Sequence, residues 1–295
     1  MRIRSTLPFL ATLLGVALPF VPRVSHAAAA AAWDSVSAIL QAKDTFAGGY
    51  HRFNLPRRDL TVHVGDVTLA PELAQGAWAG FSDDAGMAML MGDLVLKTTE
   101  LGAVLSELAQ RGLEVSAIHN HIVGEEPELV YVHFGGHGSA IGLARRLDHV
   151  LALTSTPRPV AAATAAPVGI DSSLVFSGLG RSGRVHGSVA QVTFVLVAGQ
   201  VTMNGMTVTP LLGYASPVSI QAVDATRAVA TGDFAVTGEQ VPPMLKALAA
   251  HGMTATALHT HMIGESPKLY FIHFWADAPL TKIVEGLRAV VDAAR

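Results

Sequence analysis

The chain has 295 residues, half of them apolar, 15% charged, with a net charge of −3. That length supports one large or two ordinary domains with real cores, and the composition is too apolar for disorder. The weak charge gives no basic field for nucleic acid, the aromatic share of 6% argues against a stacking platform, and the absence of cysteine removes disulfides, thiol nucleophiles, thiolate metal sites and cysteine lipid anchors.

The N-terminus carries Arg2 and Arg4, then "LPFLATLLGVALPFV", then "SHA" ending at Ala27. A positive start, an apolar run of roughly fifteen residues and a small-residue end predict a signal peptide over 1–27, the run being too short for a comfortable span. The expected product is exported, periplasmic or extracellular, with no membrane span after cleavage.

Residues 33–155 form a first unit. Short β-like runs lead to "MAMLMGDLVL", which predicts a strand. Leu101, Val104, Leu105 and Leu108 follow at helical spacing, with Thr98 as N-cap and Gly112 as stop. Then comes "AIHNHIVGEEPELVYVHF", read as two strands around a turn, and after "GGHGSA" a last helix capped by Ser139. The Pro/Ala-rich run "TPRPVAAATAAPVG" predicts a linker over 156–171.

Residues 172–295 repeat the unit. "TGDFAVTGEQVPPMLKALAAHGMTATALHTH" at Thr231 matches "MGDLVLKTTELGAVLSELAQRGLEVSAIHNH" at Met91 without a gap, 140 positions on, and "ALHTHMIGESPKLYFIHF" repeats the histidine segment. Upstream the match weakens and shifts by one residue. Pro242 and Pro243 fall in the first helical turn, Gly252 repeats the stop, and the last helix has a clean apolar stripe from Leu280 to Val291 with Asp277 as its expected cap. The element order predicts an α+β fold of two homologous repeats, each a mostly antiparallel sheet with helices on one face and a histidine-bearing hairpin. The repeats are expected to pack as a pseudo-twofold pair.

His119 and His121 share strand parity. A turn centred on Glu126 sets His119 opposite His133, so all three imidazoles share one face, with Ile118, Ile122, Val132 and Phe134 on the core face. Neutral imidazoles at that spacing are metal ligands, and three of them leave a position open. His119, His121 and His133, and again His259, His261 and His273, therefore predict a transition-metal site in one or both repeats, zinc favoured, with copper, nickel or iron compatible. Glu125 and Glu265 sit four residues past the second histidine as fourth ligand or base, which makes a metal-dependent hydrolase an alternative. A histidine-lined pocket for an anionic or sugar ligand without metal is the other alternative. His137 is an optional fourth ligand, Trp275 a pocket wall or core residue, and Asp93 and Asp233 read as turn aspartates. The first repeat, with H-N-H and His137, is expected to hold the better of two inequivalent sites. His51, His63, His149, His186 and His251 lack counterparts and read as incidental.

Glycine-rich "SGLGRSG" lacks the phosphate-loop lysine and Rossmann spacing, and neither G-x-S-x-G nor H-E-x-x-H occurs. The paired runs "AIHNHIVGEEPELVYVHFGGHG" and "ALHTHMIGESPKLYFIHFWA", each preceded by "GD" and a helix, resemble the LppY/LpqO-like family of exported bacterial proteins. The resemblance covers nearly the whole mature chain and implies a duplicated, exported domain. Members usually carry H-N-H in both copies, whereas Thr260 stands in the second here. It implies no particular reaction.

Overall fold

The computed structural model describes residues 26–84, 86–160, 162 and 168–295. The predicted signal peptide lies outside the described residues up to 25, as do residues 161 and 163–167 of the predicted linker. No helix among the described residues is long and apolar enough to cross a membrane.

The first repeat runs α1 (His26–Leu40), β1 (Asp44–Ala47), β2 (Tyr50–Pro56), β3 (Val62–Val64), β4 (Val67–Leu69), α2 (Pro71–Ala74), β5 (Gly76–Asp84), β6 (Met87–Lys97), α3 (Thr98–Gln110), β7 (Glu114–His119), β8 (Glu125–Glu126), β9 (Leu129–Gly138) and α4 (Ala140–Leu151). The second runs α5 (Ser172–Leu179), β10 (Gly183–His186), β11 (Val189–Phe194), β12 (Val201–Met203), β13 (Met206–Val208), a π-helical turn (Pro210–Tyr214), β14 (Ser216–Ala222), β15 (Arg227–Thr237), α6 (Val241–Ala250), β16 (Thr254–His259), β17 (Glu265–Ser266), β18 (Leu269–Pro279) and α7 (Leu280–Ala293). Each repeat builds a six-stranded antiparallel sheet, in the orders β1-β2-β5-β6-β9-β7 and β10-β11-β14-β15-β18-β16. The α+β duplication is thus the architecture of the molecule.

Strand β6 explains how the layers stack. Its residues are buried almost throughout, which is why "MAMLMGDLVL" is a continuous apolar run and not an alternating one. Leu90, Leu94 and Leu96 join Val104 and Leu108 of α3 and Leu143 and Leu147 of α4 in one core. Met89 and Met91, on the opposite face, pack in a separate core with Leu212, Tyr214 and Phe271 of the second repeat. Helices therefore cover the outer face of each sheet, and the inner faces meet, giving a helix–sheet–sheet–helix stack.

The repeats also exchange arms. After β4, the segment through α2 reaches the other repeat's sheet: Gln221 accepts from the Ala70 N–H and donates to the Thr68 carbonyl, both at 2.8 Å, and Gln191 donates to the Glu72 carbonyl at 2.9 Å. In return, Leu211 and Leu212 of the π-helical turn close against Gly48 and Gly80 of the first repeat.

Several local expectations hold. Gly112 and Gly252 end α3 and α6 with positive φ of 65° and 68°, the left-handed stop that glycine adopts without strain. Ser139 caps α4, accepting from the Gly142 N–H. Others do not. Lys97, not Thr98, is the N-cap of α3, with Glu100 reaching back to the Lys97 N–H at 2.9 Å. Pro279 precedes α7, and Asp277 instead pairs with Arg227 at 2.7 Å.

Candidate metal centre

The two histidine segments do not build two separate sites. They meet on the pseudo-twofold axis, where β7 and β16, each the edge strand of its sheet, approach one another. Both strands carry a bulge there, at Ser116 and at Thr256. A bulged residue leaves the ladder and is free to bond elsewhere. The Ser116 hydroxyl donates to the His261 carbonyl at 2.5 Å, and the Thr256 hydroxyl donates to the His121 carbonyl at 2.6 Å. These reciprocal bonds are the signature of an isologous contact.

On that axis the rings pair across repeats. His119 stacks on His259 at 3.9 Å between centroids, His121 on His273 at 4.1 Å, and His133 lies 3.7 Å from His261. The outer flanks are closed by aromatic rings: Tyr131 stacks on His121 at 3.5 Å and Phe271 on His261 at 3.3 Å. The expected triplets of the two repeats thus lie together in one cluster of six imidazoles.

The parity argument holds although its register does not. His119 pairs with Tyr131, and His133 with Ala117. The turn thus centres on Glu125 instead of Glu126, which moves the pairing by two residues and keeps every side chain on its predicted face. His121 lies beyond the end of β7 and reaches the cluster from the loop. Ile118, expected in the core, is half exposed on the edge strand.

Asp93 and Asp233 are the residues that sequence reasoning missed. Both sit in mid-strand, paired with His133 and His273, so their carboxylates share the imidazole face. Asp93 lies 3.4 Å from His121 Nε2, and Asp233 lies 3.1 Å from His261 Nε2. The recurring "GD" was the available signal. A Cβ on Gly92 would stand 2.5 Å from the Phe134 ring and from the Trp78 carbonyl, and one on Gly232 would meet the Pro217 carbonyl at 2.7 Å. The glycine lets an aromatic ring fill the outer face while the aspartate turns inward.

Burial sets the protonation of the cluster. It holds His133, His261 and His273 well below the ordinary imidazole value and lowers His259 to about 4, with neighbouring imidazoles adding to the depression. His119 is lowered for the same reasons. Burial raises Asp233 to about 6. Two rings are oriented from behind. Nδ1 of His133 and of His273 donates to the carbonyls of Gly92 and Gly232, at 3.3 and 3.0 Å, which leaves each Nε2 as a bare lone pair. Among the described residues, Nε2 of His121, His133, His261 and His273, and both ring nitrogens of His119 and His259, are buried without a hydrogen-bond partner. Buried unpaired acceptors are costly, and a cation is one way to satisfy them. Three triplets have ligand nitrogens within 4.8 Å of one another: His119/His133/His259, His119/His121/His273 and His259/His261/His273. Two of the three mix repeats.

Glu125 and Glu265 stand elsewhere. They lie on β8 and β17, in small three-stranded sheets with β3 and β12, and neither joins a donor triplet nor lines the cleft. Glu265 is ion-paired with Lys268 at 2.9 Å. Glu125 has Glu128 at the matching position, and burial raises its carboxyl to about 8. His137 pairs with Met89, four residues along β9 from His133, and joins no triplet. Trp275 packs at the edge of the first repeat's core.

A cleft of about 1630 Å³ opens between the repeats onto the cluster, with Asp93, His121, His133, Asp233, His261 and His273 among its lining residues. A family model described as Domain of Unknown Function (DUF1259) matches the chain twice, over residues 34–153 and 175–293. No curated protein matches. Among solved structures, a double-ringed trimeric shell protein from the RMM microcompartment matches at 10% identity, covering 72% of this chain and 85% of that one, with a TM-score of 0.18. A score that low carries no argument.

Proposed function

The chain belongs to the Domain of Unknown Function (DUF1259) family, carrying that domain twice, and from that premise we propose that both repeats together hold one transition-metal centre. The observation that carries this reading is the set of buried ring nitrogens, without hydrogen-bond partners, that face one another across the axis. Neutral imidazole is the protonation state that metals require, and the carboxylates of Asp93 and Asp233 would offset the charge of a divalent ion. An all-nitrogen and oxygen donor set suits zinc first, with copper, nickel and iron compatible. The resemblance to LppY/LpqO-like proteins and the predicted signal peptide over 1–27 support the reading that the protein is exported.

A second reading, metal-dependent hydrolysis, draws on the cleft that opens onto the cluster. When bound, the ion would supply Lewis acidity there. The chain's own contribution would be to position a ligand in the cleft and to accept a proton at Asp233, whose raised value suits a base near neutrality. Glu125 and Glu265 stand outside that cleft and are not assigned the role.

Elemental analysis of the chain recovered from its native compartment is the test. A transition metal in stoichiometric amount is expected; metal-free protein that also takes up no zinc by calorimetry would sink the proposal. Acidity gives a second readout. An unfolded histidine protonates near 6.5, whereas His259 in the fold does so near 4. Above 6.5 both states are neutral, so the group adds no pH dependence. Between those values the unfolded chain binds the extra proton, and stability falls as pH drops. Thermal melts of metal-free protein should therefore decline below about pH 6.5, and the Glu125 carboxyl, raised by burial to about 8, should add a separate decline as pH rises toward that value.

A further inference from the structure

The cleft has two walls, and the duplication makes them comparable position by position. In the first repeat, cross-strand pairing aligns Asn54, Trp78, Asp93 and His133 in one row on the inner face. Arg52, two residues before Asn54, shares that face. Its guanidinium lies over the Trp78 ring at 4.3 Å, Nε donates to Asn54 Oδ1 at 2.8 Å, and Nη1 donates to the Tyr50 hydroxyl at 3.3 Å. All three partners are neutral. No carboxylate among the described residues pairs with Arg52, whereas Arg58 in the same cleft is paired with Glu72 at 2.8 Å.

The second wall is built differently. Register places Gln191 where the first wall has Arg52, Thr193 where it has Asn54, and Pro217 where it has Trp78. Gln191 and Gln221 there spend their amides on the arm of the first repeat and on Ser219. That wall is hydrogen-bonded shut. The arm facing the first wall presents Leu211 and Leu212, which offer no acceptor to a cation. A packing role for the arginine is therefore not required by the shared architecture. What the first wall has is a rigid, half-buried fork with unspent donors and no counter-charge, the arrangement that recognises carboxylate or phosphate.

We propose that Arg52 is the anion-recognition residue of the cleft, taking the carboxylate or phosphate end of a small ligand whose remainder extends along the row toward Asp93 and His133. Two strand spacings separate β2 from β6, so the anionic end sits roughly 10 Å from the Asp93 carboxylate, the length of a small metabolite. The subsite needs no ion in the histidine cluster and so goes beyond the metal reading.

The test is calorimetric titration of the full chain, zinc-loaded and chelator-treated, with inorganic phosphate in one arm and succinate in the other. Saturable binding of at least one anion is expected, and the arm that responds names the anion. Arg52→Gln should weaken it about tenfold or more, as loss of a charge-assisted hydrogen bond does, with zinc uptake and melting temperature unchanged. Arg52→Lys, which keeps the charge and loses the planar fork, should fall between the two, and it decides the matter if Arg52→Gln does not fold. No saturable binding of either anion, or equal affinity in wild type and variants, would overturn the proposal. Failure of the metal reading looks different: zinc uptake is absent while anion binding still depends on Arg52.

Discussion

The two repeats keep their inner residues and change their outer ones. All six histidines and both aspartates recur at the same offset, and all eight contribute to one cluster. Around them the copies part: Tyr131 against Phe271, Asn120 against Thr260, Glu128 against Lys268, Arg52 against Gln191. A residue on the axis serves both halves at once, so altering either copy alters the same centre. A residue away from it serves its own wall alone. The difference teaches that the histidine and aspartate cluster is shared between the repeats while the cleft walls differ one from the other.

The largest test of this contrast is to remove His133 and His273 in turn. A joint centre predicts loss of metal from both variants, with affinity down at least tenfold, since even supporting residues around a metal are worth about 10–100-fold, and the larger loss from removal of His273, which belongs to two of the three triplets where His133 belongs to one. Retention of half the metal in each, by elemental analysis, would restore two independent sites. A middle-sized effect is expected from the glycines behind the aspartates. Gly92→Ala should destabilise by about 1–3 kcal/mol, as overpacking does, and Gly232→Ala by less, because its contacts are a little longer. Urea unfolding of the two variants would order them; a reversed order means that the aromatic neighbours yield more easily than the carbonyls. The smallest effect comes from Glu128→Lys, which copies Lys268 into the first repeat. The Glu125 carboxyl should fall from about 8 toward the ordinary range, followed by carbon-detected NMR titration, with a stability gain of at most about 1 kcal/mol because the new cation is exposed. An unmoved Glu125 would show that burial alone governs it.

Much of this was legible in the sequence. The offset of 140 gave the duplication, glycines gave the helix stops, and parity put the imidazoles on one face. Parity survived an error in register because a turn moved by one residue shifts the pairing by two. What was not legible is non-local. Nothing in "AIHNH" says that Ser116 leaves its ladder to bond the other repeat, or that an inner sheet face meets its own copy. Asp93 looked like a turn residue because "GD" is a common turn pair. The ring of Phe134, forty-two residues after Gly92, and the carbonyl of Trp78 explain why a glycine belongs in the middle of that strand. The general-base assignment to Glu125 and Glu265 rested on spacing along the chain, and the loop carries both into a different sheet.

The exchanged arms and the centre between them have a consequence for dilution. Two unlinked copies of such a domain would assemble their ligands only as a dimer, and the affinity for metal would fall with protein concentration. Joined in one chain, the second half is always present at a local concentration in the millimolar range typical of short tethers. Assembly of the six-imidazole cluster then becomes independent of how much protein is present. The tether also releases the halves from identity. A homodimer must carry the same side chain on both walls, whereas the fused chain carries Arg52 on one and Gln191 on the other, setting a one-sided cation beside a symmetric cluster.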